Sequence, residues 1–460
     1  MPSFKPPASR FARLLNRSAL IEPNEHRAVV LAFMCNFMLL GSYYILKPLR
    51  DTTATVFGSG QLQWLFTATF IGTLIASPVY VLLASRLALK RLLPGVFWFW
   101  LLNVLLFEAL FRLAPDNRAV AGAYFIWFSV VNLFMISVFW SLMVDLFSAR
   151  QATRLFPPIA AGGSIGAIAG PAITHLAVRA VGIGGLLSIA AAGFFVVIVL
   201  VHLLMREKNR LRSLGQEVQR STLDHALPGN PFAGLHELIR SPYTRNQAAF
   251  MMLMTWVATV AYFFQTDVIA AAFASVEGRT IAIADIALVV NICSAVVLIF
   301  GLGRFVQRFG VTAGLVLNPL LMMIAFVGAA LSTTLLMIQA LQMVRQVGQY
   351  AIARPSREIC FTVVEQTGRY KTKNVIDTLV YRFGDVTAAW MQTGLRAAGA
   401  RSVGSAVFGF GLSAVWGVVA VRLGRRYEEL RLQQATARTS DETITPEPQL
   451  PSHGQPVPRR

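Results

Sequence analysis

The chain has 460 residues, of which 55% are hydrophobic and 14% charged, and its formal net charge is +19. So much apolar sequence in so long a chain excludes a single soluble domain and points to a protein that crosses a membrane many times. No basic stretch carries interleaved aromatics, so the positive charge does not make nucleic acid an expected partner.

One helical crossing takes roughly 20 apolar residues, because about 30 Å of hydrocarbon is spanned at 1.5 Å per residue. Twelve such runs are predicted, over 27–46, 61–84, 92–111, 119–144, 158–178, 183–205, 246–273, 281–303, 311–331, 334–353, 375–395 and 402–421. The expected fold class is therefore an all-α membrane protein of two six-helix halves. An N-terminal segment 1–26 precedes the first bundle (27–205), a linker (206–245) joins it to the second (246–423), and a tail covers 424–460. Of the 41 Lys and Arg, 31 fall in segments on the N-terminal side of the membrane and 8 on the other. The positive-inside rule then places both termini in the cytoplasm.

Cys35 and Cys293 fall within spans and Cys360 in a loop, so no disulfide framework or metal-ligand spacing is read. No cofactor is expected. With no nucleophile–base pair and no phosphate-binding glycine loop, the sequence is not read as an enzyme. The first apolar run lacks a small-residue cleavage site and reads as a retained helix.

In chain order, the first span presents Asn36, Tyr43, Lys47 and Arg50 at helical spacing on one face, with Asp51 beside them. Such a stripe must face protein or water, since charge in lipid is strongly disfavoured. Lys47 is placed near the outer end of that span. The segments 85–91 and 304–310 occupy equivalent places in the two halves, a repeat that resembles the major facilitator superfamily, whose bundles rock around a midplane site. In the fifth span Gly166, Gly170 and Pro171 read either as small-residue packing or as an exchanger-type motif. His175 and His202 read as packing or interfacial residues. Residues 231–240 are expected to form a short surface helix.

The seventh span carries Thr255, Thr259, Tyr262 and Thr266 on one face, with Asp267 next to them. Matching Tyr43 to Tyr262 places Lys47 and Asp267 at similar depths across the pseudo-twofold, either as a gate or as a substrate and proton site. The tenth span bears Gln339, Gln342, Gln346 and Gln349, with Arg345 adjacent. This stripe lines a cavity or serves as hydrogen-bond glue between helices. Arg382 with Asp385, and Lys373 with Asp377, are spaced as local ion pairs. The tail is polar and expected to be disordered.

The stretch from Tyr350 to Asp385 contains Tyr350, Pro355, Arg357, Glu358, Glu365, Lys371, Lys373, Ile376, Asp377 and Gly384. Together with Tyr43-Tyr-Ile-Leu-Lys47 and Phe156-Pro157, it resembles the ATP/ADP antiporter family of obligate intracellular bacteria and plastids. The resemblance implies a bacterial inner-membrane nucleotide exchanger that uses a lysine in the first helix and one entering the eleventh. Those positions correspond to Lys47 and Lys373. It also implies acidic residues in the fourth and seventh helices. This chain instead has Phe128 or Asn132, and Phe264 or Gln265, with Asp267 slightly further along.

The expected function is alternating-access transport of a small anionic, nucleotide-like or phosphorylated solute, in the manner of an ATP:ADP antiporter, by a monomer in contact with membrane lipid. Lys47, Arg50, Tyr43, Tyr262, Arg345, Gln346, Gln349, Lys373 and Arg382 are the candidate substrate contacts. Asp51, Asp267, Asp377 and Asp385 are the candidate gating or coupling groups. Fixed cations replace the water that phosphate or carboxylate oxygens lose in a cleft. One alternative is proton-coupled transport of a different solute, with Asp267 or Glu108 titrating. Another is a lipid-handling or sensing protein with a transporter fold.

Overall fold

The computed structural model describes residues 21–22, 24–86, 89–213, 233–364, 372–400 and 402–444. The first half contains α1 (His26–Phe57), α2 (Leu62–Arg86), α3 (Leu89–Leu113) and α4 (Arg118–Leu146). A 65-residue helix, Ala149–Ser213, then breaks at Gly182 into α5 (149–181) and α6 (183–213). Gly182 has φ 66°, a conformation that only glycine adopts freely, so the chain turns there without a loop.

The short helix α7 (Ala233–Arg240) matches the expected surface helix and leads into α8 (Pro242–Ala272). Next, α9 (276–309) runs through a π turn at Val297–Gly301, and a second glycine break, Gly310 with φ 83°, separates it from α10 (311–331). Helix α11 (335–360) is interrupted by a π turn at Gly348–Ala353. Helix α12 (372–397) carries another after its first turn, Ile376–Val380, and α13 (Ser402–Ile444) ends the described chain.

Among the described residues eight helices are long and apolar enough to cross a membrane, and two of them, Arg150–Arg210 and Val276–Leu331, are long enough to cross twice. With α11 and α12 this gives the twelve crossings read from the sequence. Two bounds differ. Helix α1 continues to Phe57, so Lys47, Arg50 and Asp51 sit within the helix and not near its end. The continuation is polar, but Thr52, Thr53 and Thr55 are buried against protein, and the Thr52 hydroxyl donates to the Pro48 carbonyl at 2.9 Å. At the other end, α13 runs on to Ile444, past residue 423 where the second bundle was expected to stop. It is tied there by Thr312 Oγ1, which donates to Glu428 Oε1 at 2.7 Å, and by Gln434 Nε2, which donates to the Val363 carbonyl at 3.0 Å. The disorder expected of 424–460 is thus corrected up to 444; 445–460, most of 1–26 and 214–232 lie outside the described residues.

Each half has its own core. Phe97, Tyr124, Phe139 and Phe194 centre the first, and Phe250, Phe326 and Trp416 the second. Helix α1 packs most extensively on the α5–α6 pair. A third cluster bridges the halves, joining Ala54, Leu62, Leu65, Phe66 and Phe125 to Phe263 and Ala389. Around it lie polar bonds from one half to the other. Thr52 Oγ1 and Thr280 Oγ1 are 3.0 Å apart, Arg279 Nη1 donates to Thr55 Oγ1 at 3.2 Å, and Trp390 Nε1 donates to Thr67 Oγ1 at 3.1 Å. All of these lie at the end of the bundle away from the linker.

Candidate functional site

Beneath that barrier, both halves line a cavity of about 580 Å³ that extends toward the linker end as far as Arg357, Glu358 and Asp377. Helix α1 contributes Tyr43, Tyr44, Lys47, Arg50 and Asp51, and α4 contributes Phe128, Ser129 and Asn132. The facing half supplies Thr259, Tyr262 and Gln265 from α8, Arg345, Gln346, Tyr350, Arg354 and Arg357 from α11, and Tyr381, Arg382 and Asp385 from α12. The π turn in α11 widens one turn of the helix between Arg345 and Arg354, a feature frequent at functional sites. Gly348 lets this turn approach α10, since a Cβ there would lie 2.1 Å from Asn318 Oδ1.

Three of the cavity guanidiniums are tied to carboxylates. Arg50 Nη1 lies 2.6 Å from Asp51 Oδ1, and the Tyr262 hydroxyl donates to the same oxygen at 3.1 Å. Arg382 Nη1 lies 3.4 Å from Asp385 Oδ2, with Thr259 Oγ1 on the other oxygen. Arg357 Nη2 is paired with Asp377. Ser129 joins the first two pairs: its hydroxyl accepts from Arg50 Nε at 3.0 Å, and its carbonyl accepts from Arg382 Nη2. This polar cluster therefore links the halves at the closed end of the cavity.

The other three cations, Lys47, Arg345 and Arg354, form no ion pair among the described residues. They gather around Tyr350: Lys47 Nζ is 5.8 Å and the Arg354 guanidinium 5.1 Å from its ring centre. Lys47 also lies 5.2 Å from the Tyr44 ring. Several guanidinium nitrogens are buried with no hydrogen-bond acceptor, namely Arg354 Nε, Arg357 Nε and Nη1, and Arg382 Nε. Unpaired donors of this kind suit an anionic oxygen. On the opposite wall Tyr43 and Phe128 stack with ring centres 5.0 Å apart.

Most of the residues read from the sequence meet here. Tyr43, Lys47, Arg50, Asp51, Tyr262, Arg345, Gln346, Asp377, Arg382 and Asp385 all line the cavity. Others do not. Asp267 does not face Lys47; it pairs with Arg396 Nη2 at 2.7 Å at the closed end, beside a separate pocket. Lys373 is paired with Glu358 at 2.6 Å, not with Asp377, and does not line the cavity. Lys371 lies outside the described residues. Gln349 sits behind the wall, accepting from Arg345 Nη1 at 3.1 Å. Asn36 leaves the expected stripe and donates to the Ile159 carbonyl at 3.0 Å. Glu108 pairs with Arg112 at 2.7 Å on the first half.

The sequence reading missed Arg354, Ser129, Tyr44 and Tyr381. Arg354 was readable only as a loop residue, because the apolar run stops just before it. Its place next to the quoted Pro355 motif was the available signal.

Twelve crossings in two halves, with a polar cavity between them, define a secondary membrane transporter. A profile of the Major Facilitator Superfamily matches residues 29–352, and the chain belongs to that superfamily. Solved structures share its fold. A bacterial homologue of the human lysosomal transporter Spinster, inward-facing and unoccupied, aligns with a TM-score of 0.60 at 13% identity, covering 89% of this chain and 99% of that one. A POT family transporter in complex with a thioalcohol-conjugated peptide aligns with a TM-score of 0.62 at 11% identity, covering 90% and 99%. The nucleoside transporter NupG aligns with a TM-score of 0.54 at 14% identity, covering 89% and 99%. Among curated proteins no sequence match was found.

Proposed function

We propose that the protein moves a multiply charged organic anion, nucleotide-like or otherwise phosphorylated, by alternating access of the central cavity. The observation that carries this reading is the group of three cations without carboxylate partners, Lys47, Arg345 and Arg354, around Tyr350 on the cavity wall. These cations hold the anionic groups. Tyr43, Tyr262 and Gln346 orient the remainder of the solute. Arg50 and Arg382, with Asp51, Asp385 and Ser129, form the barrier that must part for the opposite end to open. Asp377 and Arg357 act at the linker end, which the distribution of Lys and Arg assigns to the cytoplasm.

The resemblance to nucleotide antiporters supports the nucleotide form of this reading through Lys47 and Tyr350, but not through Lys373, which lies outside the cavity. Phe128, Asn132 and Gln265 line the wall where that resemblance implies acidic groups, so the positive charge is left uncompensated. An empty cavity with surplus charge resists closure, and a bound anion relieves it. Exchange follows, because only the loaded carrier then reorients readily.

The test is equilibrium binding of nucleotides, other phosphorylated metabolites and lipid precursors to purified protein, followed by efflux from preloaded vesicles. Binding of at least one multiply charged anion, with efflux accelerated by external counter-solute, is expected. If no anion binds at millimolar concentration, the reading is wrong. The proton-coupled alternative relies on Asp267 or Glu108, and neither touches the cavity. Asp267→Asn should therefore change anion affinity by no more than about twofold, as for distant, independent sites. A sharp loss of affinity and of pH-driven uptake in that variant would favour the proton-coupled reading.

A further inference from the structure

Arg345 is held differently from the paired guanidiniums of the cavity. Arg50, Arg357 and Arg382 each meet a carboxylate. Arg345 instead donates through Nε to Gln342 Oε1 at 2.7 Å and through Nη1 to Gln349 Oε1 at 3.1 Å. Both glutamines are buried. The orientation of Gln342 is fixed independently, because its Nε2 donates to the Ala261 carbonyl of α8 at 2.7 Å and so turns its oxygen toward Arg345. Two amides thus fix the guanidinium as two carboxylates would, without neutralising it.

We propose that Gln342 and Gln349 are positioning residues that hold Arg345 in place with its charge uncompensated, and that through them the cavity selects the more highly charged of two otherwise similar anions. This rests on the anion-carrier reading. Glutamate would accept the same hydrogen bond from Arg345 at either position. The amide is what leaves a full positive charge for the solute to meet, and a hydrogen bond between charged partners is roughly twice as strong as one between neutral partners.

The test uses Gln349→Glu, since Gln342→Glu would also remove the donor to the Ala261 carbonyl. Two measurements are made on the full-length protein in detergent. In the first, the thermal midpoint of the ligand-free protein should rise by a few degrees in Gln349→Glu, and this gain should vanish in an Arg345→Met background. In the second, binding of inorganic phosphate, pyrophosphate and tripolyphosphate should tighten along the series for the parent protein. Gln349→Glu should flatten that trend, weakening tripolyphosphate about tenfold or more. Gln349→Asn, which keeps a neutral amide, should retain the trend.

A ligand-free midpoint that is unchanged or lower in Gln349→Glu overturns the clamp, as does a charge series that keeps its slope. If the parent protein binds neither the phosphates nor any nucleotide, the carrier reading fails, while the ligand-free midpoint still decides whether Arg345 is held uncompensated.

Discussion

Lys47→Met should abolish solute binding, a loss of at least about a hundredfold given the strength of charge-assisted contacts, and leave the empty protein no less stable than before. Lys47 has no carboxylate to abandon. Its ammonium lies over the rings of Tyr44 and Tyr350, at 5.2 and 5.8 Å, and faces the cavity. Methionine fills similar space without a charge held partly out of water. Arg382→Met should behave in the opposite sense. It removes the guanidinium from Asp385 and the donor from the Ser129 carbonyl, leaving a buried carboxylate with Thr259 as its remaining described partner. Breaking a buried pair from one side typically costs about 3–5 kcal/mol. The midpoint should therefore fall by many degrees in Arg382→Met and hold or rise in Lys47→Met, measured side by side by thermal unfolding without ligand. A shift in the same direction for both would show that the cavity cations do not divide into free and paired sets.

The fold was legible wherever the chain meets lipid, because lipid demands apolar side chains and hydropathy records that demand. It was illegible where a helix meets protein. The polar continuation of α1 from Lys47 to Thr55, and of α11 beyond Ala353, looked like loop because their buried or cavity-facing residues need not be apolar. The site was partly legible for a related reason: Tyr43, Lys47 and Arg50 stand out against an apolar helix. Partner choice was not, and Asp267 shows why. Lys47 follows Tyr43 by four residues, roughly 40° around the helix, whereas Asp267 follows Tyr262 by five, roughly 140°. Similar depth therefore did not mean the same face. Asp267 turns away from the cavity to Arg396, 129 residues along the chain, a partner that no local spacing reveals.

Gly166→Val should prevent the first half from assembling. Gly162, Gly166 and Gly170 stand four apart along α5, and the backbone of α1 lies against them. A Cβ at these positions would come within 2.4 Å of the Phe33 carbonyl oxygen, 2.3 Å of that of Phe37 and 2.6 Å of that of Gly41. These are backbone atoms, so no rotamer change relieves the clash, and α1 must move as a whole. Without a hydrophobic driving force between helices in lipid, close van der Waals contact is what holds such a pair together. The packing reading of Gly166 and Gly170 thus accounts for the motif. The yield of monodisperse protein in detergent should fall at least about tenfold, as expected when an overpacked site forces a backbone shift. Gly411→Val is the control, since nothing lies within 4 Å of a Cβ there, and it should purify as the parent protein does. Because α1 also carries Tyr43, Lys47 and Arg50, any Gly166→Val protein that does fold should bind solute poorly through displacement of that wall. Normal yield, midpoint and binding in Gly166→Val would mean that α1 and α5 are not packed backbone to backbone.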